Sequence, residues 1–597
     1  MKIQFHRIDT NVVVGLLVRE FCCSGTDVSA KVLAMYAGTR TPSMEPQWLA
    51  AGLSQGDLKE TGRSVSRMGY YVNPSAESFA AIARSKTYVD KTGLIEYMNT
   101  VVQTDRMLVC SSRPRRFGKS FAAKMLAAYY SRGADSKDIF QNLKIGKETK
   151  CENQNQYDVI FLDITLFLSI ADTPETVVRE IQKDVIEELN KEFPGAIQRE
   201  TESLLKALMQ VHTVTGRKFF IIIDEWDALF REVKQNTEIQ KEYIQLLRSL
   251  FKNNITPQII AGAYMTGILP IKKYGTQSAL TEFREYTMLE PGPLAPFVGF
   301  TEEEVKKLCE RYPLDFEQAK RWYDGYVFEQ AGHIYSPNSI IEAIQNQNFA
   351  NYWTQTETYE SLMTYMDLNF DGLKDSVIDM IGGMRCKVDV GSFQNDMTSL
   401  KSKDDVLTLF VHLGYLAYDR KTKEVFIPNE EIREEFIRSV KNGNRRELVK
   451  AVELSDKLLN ATIRKDEATV AELIEEAHAA NTSPKFYNNE QALRSVVIMA
   501  YLSSVDDYCR FEELASGKGY IDLLFLPTKQ SAKPALVIEL KWNKSGEKAI
   551  RQGEEQQYWK FAETFRYKGP ILLVGINYST KTKKHTCRIK EVRKELS

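Results

Sequence analysis

Two groups of residues have the types and spacings that do chemistry. In MLVCSSRPRRFGKSFAAKMLAAYY, the tripeptide Gly118-Lys119-Ser120 follows an apolar run and opens an apolar-faced helical stretch. A loop there, ending in Arg116-Phe117-Gly118, points backbone amides and a positive helix terminus at phosphate oxygens. Lys119 then reaches β and γ phosphates, and Ser120 ligates Mg2+. The general phosphate-loop pattern wants glycine five residues before Gly118, where Arg113 stands. Further on, Phe219-Phe220-Ile221-Ile222-Ile223 ends in Asp224-Glu225-Trp226-Asp227. Carboxylates at the C-terminal end of a buried parallel strand face the ligand crevice. Asp224 is therefore expected to hold Mg2+, and Glu225 to polarise a water attacking the γ phosphate. The competing reading makes these acids a helix N-cap and first-turn charges complementing the dipole. Two such motifs on successive strand-to-helix junctions favour ATP binding. Thr266, closing IIAGAYMT, fits a γ-phosphate sensor or a plain core threonine equally well.

Nearer the C-terminus, Asp522 lies in GYIDLLFL, and Glu539-Leu540-Lys541 lies in PALVIELKW. If both are strands, Glu539 and Lys541 point to one face and Leu540 to the other. With Asp522 opposite, two carboxylates hold Mg2+ near a scissile phosphate, while Lys541 orients water and steadies developing charge. Such a triple is also what the wet side of a half-buried sheet presents. Its company is Glu490 on a preceding helix, Glu513 before Ser516-Gly517-Lys518-Gly519, and Gln552 on a following helix.

These residues need elements to position them. From Arg106 to about Pro270, β-rich runs alternate with amphipathic stretches such as TPETVVREIQKDVIEELNKEF, which predicts βαβ units on a parallel sheet. Residues 291–483 read as a helical middle, and residues 484–597 as a closing α/β domain. Residues 1–67 lack sustained period and are expected to be a dispensable extension, leaving 68–290 as the nucleotide domain. The 597 residues contain 79 Lys plus Arg and 80 Asp plus Glu, so no global field draws the chain to nucleic acid. Residues 484–597, however, hold 20 basic against 13 acidic side chains, a local excess suited to a phosphate backbone. The eight cysteines show no CxxC spacing, and the six histidines (6, 212, 333, 412, 478, 585) form no HExxH or Cys/His set. Zinc and histidine-triad chemistry are therefore not expected. No apolar run reaches the roughly 18 residues of a membrane span, so no membrane partner and a cytoplasmic location are expected.

Several segments together carry a resemblance: YVDKTGLIEY, SRPRRFGKS, the strand ending in DEWD, YMTG, GFTEEEV, WYDGY and YSPNSI. From about residue 68 to the end, the chain resembles the AAA-ATPase-like family, bacterial proteins that commonly carry a C-terminal PD-(D/E)XK nuclease-like domain. The resemblance implies an N-terminal P-loop ATPase sheet, a helical lid region and a C-terminal α/β restriction-endonuclease-like domain. It makes Arg113 to Lys119 the usual phosphate loop. It matches Asp522, Glu539 and Lys541 to the nuclease signature, Glu490 to the acidic residue of its first helix and Gln552 to the glutamine after it. SALTEFREY (278–286) and Tyr520 depart from the family pattern. The implied activity is ATP- and Mg2+-dependent cleavage of nucleic acid, DNA rather than RNA, with oligomeric state open. The alternative is a nucleotide-regulated scaffold whose nuclease fold no longer cuts. WYDGY reads as a helix-ending turn, and the Pro-Asn-Glu of VFIPNEEIREEF as a helix start.

Overall fold

A computed structural model describes residues 69–592, except 149–150, 234, 272, 275–276, 279, 354–369, 371, 392, 394–399, 443–445, 482–488, 502, 505–506, 528–530 and 566. The chain divides into Met1–Val65 and Ser66–Ser597, and the extension expected at 1–67 lies outside the described residues.

Continuous apolar runs become buried strands, joined at one edge by the short, part-exposed Arg284–Tyr286. β1 (Leu108–Ser112) leads through the 113–118 loop into α1 (Lys119–Tyr130). β2 (Asp158–Asp163), β3 (Phe219–Asp224), β4 (Ile260–Gly267) and β5 (Arg284–Tyr286) follow. They form one parallel sheet in the order β2-β3-β4-β1-β5. Phe219, Ile221 and Ile223 enter one core while Phe220 and Ile222 enter the other, so β3 is covered on both sides. The strand order reverses at β1, where the crevice of an open α/β sheet lies at the strands' C-terminal ends. Register places Asp163 beside Asp224 and Ser112 beside Gly267 along that edge.

The middle is helical, with α2 (Glu302–Arg311), α3 (Phe316–Tyr323), α4 (Pro337–Asn346), α5 (Glu430–Asn442), α6 (Arg446–Ile463) and α7 (Glu467–Asn481). The Asn429 side chain accepts from the Ile432 amide at 3.0 Å, capping α5 where Pro-Asn-Glu marks a start. Among its described residues the region also holds two three-stranded antiparallel sheets, one built from Phe300–Thr301, Tyr326–Phe328 and Gly332–Tyr335. Strands of two to four residues are too short to show a period of two.

The C-terminal part runs α8 (Glu490–Ala500), β6 (Tyr508–Ser516), β7 (Gly519–Pro527), β8 (Ala535–Trp542), α9 (Gly546–Glu555), β9 (Ile571–Ser579) and β10 (Lys584–Val592). The strands form one sheet in chain order, parallel only between β8 and β9. Leu536, Ile538 and Leu540 enter one core, with Leu523 and Phe525. Ala535 and Val537 enter the other, with Leu524. Two-residue alternation therefore puts Asp522, Glu539 and Lys541 on a single face. No helix among the described residues is long and apolar enough to cross a membrane.

Candidate active sites

At the edge of the parallel sheet, the loop after β1 turns through positive φ at Arg116 (67°) and Gly118 (88°), the latter capping α1. Glycine reaches that left-handed conformation without steric cost. The turn buries the Lys119 ammonium, which donates to the Pro114 carbonyl at 3.0 Å and lies 3.4 Å from Glu225 Oε1. The Asp224 carboxylate accepts from the hydroxyls of Thr266 and Ser120, while burial pushes its pKa up. Thr266 also accepts from the Glu225 amide at 3.3 Å, so its hydroxyl bonds both members of the acidic pair. Glu225 sits at φ 52°. Its carboxylate bonds Arg231 Nη2 at 2.6 Å. Burial alone would raise Glu225, but Lys119 and Arg231 together hold it below its ordinary pKa, ionised.

Arg113 takes the place of the expected glycine for a visible reason. Its buried guanidinium donates to the carbonyls of Ser112 (3.0 Å) and Tyr286 (3.2 Å) and lies 5.2 Å from the Phe328 ring centre. It ties the loop to β5 and to the middle region, while burial lowers its pKa to about 10. Arg116 bonds the Tyr352 carbonyl at 3.1 Å, and Phe117 packs edge-on against Tyr326.

A cavity of about 790 Å³ opens from Lys119, Ser120 and Glu225 towards Tyr88, Phe297 and Phe300. Pro337, Asn338 and Ile341 of α4 form another wall, so YSPNSI lines the crevice. The volume suits an organic ligand held by apolar walls and a few polar groups. Asn338 Nδ2 is buried there without a hydrogen-bond partner, and the Tyr88 hydroxyl is buried there beside the Lys91 backbone.

In the C-terminal sheet, β7 and β8 pair antiparallel up to Leu523–Ile538, and the next step places Asp522 across from Glu539. Like charges facing each other repel unless a cation joins them. Burial, and then the charge of Asp522, raises the Glu539 pKa to about 7. Glu539 Oε1 accepts from Lys541 at 2.6 Å, while Oε2 is buried with no donor against it when both acids are ionised, and a protonated Glu539 carboxyl bonds Asp522 instead. Asp522 accepts from the Leu540 amide at 2.8 Å and from Arg494 Nη2 at 3.2 Å. Two converging carboxylates, one with an orphaned buried oxygen, are a hard-oxygen donor set suited to Mg2+. Gln552 bonds the Tyr558 hydroxyl at 3.0 Å, and that phenol lies within the field of Glu539 and Asp522. Glu490 opens α8 one turn before Arg494, and it is Arg494 that reaches Asp522. Glu513, at φ 48°, pairs with Arg494 at 2.6 Å where the β6–β7 ladder skips a pairing. A separate open pocket of about 490 Å³ is lined by Lys518, Tyr520, Lys560 and Glu563, with none of Asp522, Glu539 or Lys541 in its wall.

Sequence reasoning did not single out Arg231 and Arg494. Each is a basic residue one helical turn past an acid (Asp227 to Arg231, Glu490 to Arg494), which is the signal that would have found them.

Residues 75–276 match the family described as Predicted AAA-ATPase, so an AAA-ATPase-like domain occupies that stretch. An uncharacterized protein encoded in the vnfD 5′ region of Azotobacter chroococcum mcd 1 is 24% identical over 292 residues. The match covers 47% of this chain and 53% of that protein, so the chain spans about half the length of this relative. Among solved structures, the Aeropyrum pernix ORC2 protein (ADPNP-ADP complexes) is similar with TM-score 0.27 and 12% identity, over 61% of this chain and 92% of that one. C. elegans PCH-2 gives TM-score 0.16 and 12% identity, over 43% and 49% respectively.

Proposed function

We propose that this protein binds and hydrolyses ATP at the edge of its parallel sheet, and that nucleotide state governs a Mg2+-dependent nucleic-acid-cleaving site on its C-terminal sheet. One observation carries the first half: Lys119, Ser120 and Glu225 line the cavity, and buried Asp224 and Thr266 sit behind them, Asp224 bonded by the hydroxyls of Thr266 and Ser120 and Thr266 by the Glu225 amide. Lys119 would leave its ion pair to meet β and γ phosphates, Ser120 and Asp224 would hold Mg2+, and ionised Glu225 would orient the attacking water. Tyr88 and Asn338 supply polar contacts at the nucleoside end of the cavity. Isothermal titration tests this. Lys119→Ala weakens ATP binding at least about tenfold because a charge-assisted phosphate contact is lost; equal affinity in variant and wild type refutes the assignment.

The second half rests on the Asp522–Glu539 pair and its orphaned oxygen. Those carboxylates would hold Mg2+, which when bound would supply positive charge to activate a water and to offset charge on the phosphate. Lys541 orients that water, while Tyr520, Lys518 and Lys560 receive the phosphate backbone. DNA is the substrate we favour. Lys541→Ala stops Mg2+-dependent cutting, by about a hundredfold or more, with nucleic-acid binding retained; unchanged cutting removes Lys541 from the mechanism. The scaffold reading draws on one observation, that Lys541 and Arg494 already bond the two carboxylates. A wild-type protein that binds DNA yet never cuts it, with or without ATP, would select that reading.

A further inference from the structure

We propose that Glu475, His478 and His585 form a binding site for a borderline transition-metal dication, zinc(II) foremost, on the face of the C-terminal sheet opposite Asp522 and Glu539. The two histidines are 107 residues apart and share no sequence motif. The fold brings them together by laying α7 against β10. Glu475 and His478 stand three apart, one above the other on a single helix face. One ligand atom from each of the three residues lies within 4.8 Å of the other two. Glu475 Oε2 is fixed by both the backbone amide of His585 (3.1 Å) and its ring Nδ1 (2.5 Å). An ordinary ion pair would end there. Here the second imidazole faces the first with ring centres 5.4 Å apart, and Tyr578 braces both rings at 5.6 and 4.8 Å.

Two imidazole nitrogens and one carboxylate oxygen suit zinc(II) or a neighbouring first-row ion, whereas Mg2+ and Ca2+ demand oxygen ligands. Bonds of about 2.0–2.2 Å in a tetrahedral set place ligand atoms roughly 3.4 Å apart, so Glu475 Oε2 must open from its 2.5 Å contact with His585 Nδ1 to admit the ion. Glu475, with 41% of its side chain exposed, has the freedom to move, while His585 is fully enclosed. The exposed side leaves a coordination position open to water. Binding releases any proton carried by the ligating nitrogens. The companion cluster of Glu302, Asp324 and His333 is a weaker candidate because Lys306 (2.6 Å) and Lys320 (3.4 Å) already occupy Glu302. A metal at the first cluster would staple the last helix of the middle region to the edge strand of the C-terminal sheet.

The test uses the intact, tag-free protein, stripped with a chelator and titrated with Zn2+ in excess Mg2+ so that hard-oxygen sites are filled. Wild type takes up one equivalent, and Zn2+ raises its melting temperature. His478→Ala, at a half-buried position, and Glu475→Gln each weaken uptake at least about tenfold and abolish the melting shift. Co2+ in place of Zn2+ gives visible d–d absorption in wild type only. A wild-type protein that takes up no Zn2+, or variants that match it in uptake and melting shift, overturns the proposal. Because the readouts are metal uptake and melting, failure here leaves the ATP and cleavage assignments untouched.

Discussion

Glu225 shows how one side chain is readied for work. Its backbone occupies left-handed φ (52°), a conformation that costs a non-glycine residue on the order of 1–3 kcal/mol. The turn aims the carboxylate between Lys119 and Arg231. On the proposed function Lys119 moves to phosphate, which leaves Arg231, with a smaller contribution from Arg115, to keep Glu225 ionised and in place. Arg231→Ala is therefore expected to lower kcat for ATP hydrolysis by about 10- to 100-fold, with ATP affinity within about threefold of wild type. The acidic limb of its pH–rate profile should shift upwards as Glu225 loses a positive neighbour; an unshifted limb would reduce Arg231 to a structural role. The residue types at Asp224 and Glu225 were legible in the sequence because a strand's C-terminal end dictates where they point. Arg231 was not, because its reach depends on a backbone reversal that no residue type announces.

Among the elements, the strands were the most legible, since two-residue alternation assigns faces without tertiary information. Leu540 falls in one core while Glu539 and Lys541 share the opposite face. Helix ends were less so. WYDGY reads as a plain helix-ending turn, and α3 does stop there, with Gly325 at φ 116°. The motif does more than terminate a helix. A Cβ on Gly325 would strike the Pro428 carbonyl, and the Asp324 carbonyl accepts from Asn429 at 2.7 Å. The turn is thus a close backbone approach that seats α3 against the start of α5. Gly325→Ala is expected to destabilise this region by about 2–4 kcal/mol, the combined cost of strained φ and overpacking. Chemical denaturation would measure it, and a loss under about 1 kcal/mol would show that the α3–α5 corner shifts freely.

At the scale of the whole molecule, α5 connects α4, which walls the cavity, to the C-terminal sheet. Its Glu430 lies 3.8 Å from Arg321 of α3, 3.8 Å from Arg433 and 4.0 Å from Arg510 of β6, so charges from two regions meet on one carboxylate. One residue on, Glu431 faces the other way, accepting from Ser339 of α4 (2.9 Å) and from the Tyr352 amide (2.9 Å). Burial raises its pKa to about 8, reinforced by the neighbouring charge of Glu435 and only partly offset by those hydrogen bonds. Glu434 reaches about 8 by the same burial despite Arg438. No sequence pattern shows this, because a Glu-rich helix reads as solvated until its neighbours are known. A carboxyl raised in the folded state keeps its proton while the unfolded chain loses one, so stability falls as pH rises from about 4.5 to about 8 and levels off above. Glu431→Gln keeps the hydrogen-bonding shape without the ionisation. The wild type should lose on the order of 2 kcal/mol more than this variant between pH 5 and pH 8, measured by denaturant midpoints at each pH. Parallel pH profiles would mean that Glu431 is already ionised in the folded protein. The α4–α5 contact beneath the cavity would then be held by charge rather than by a shared proton.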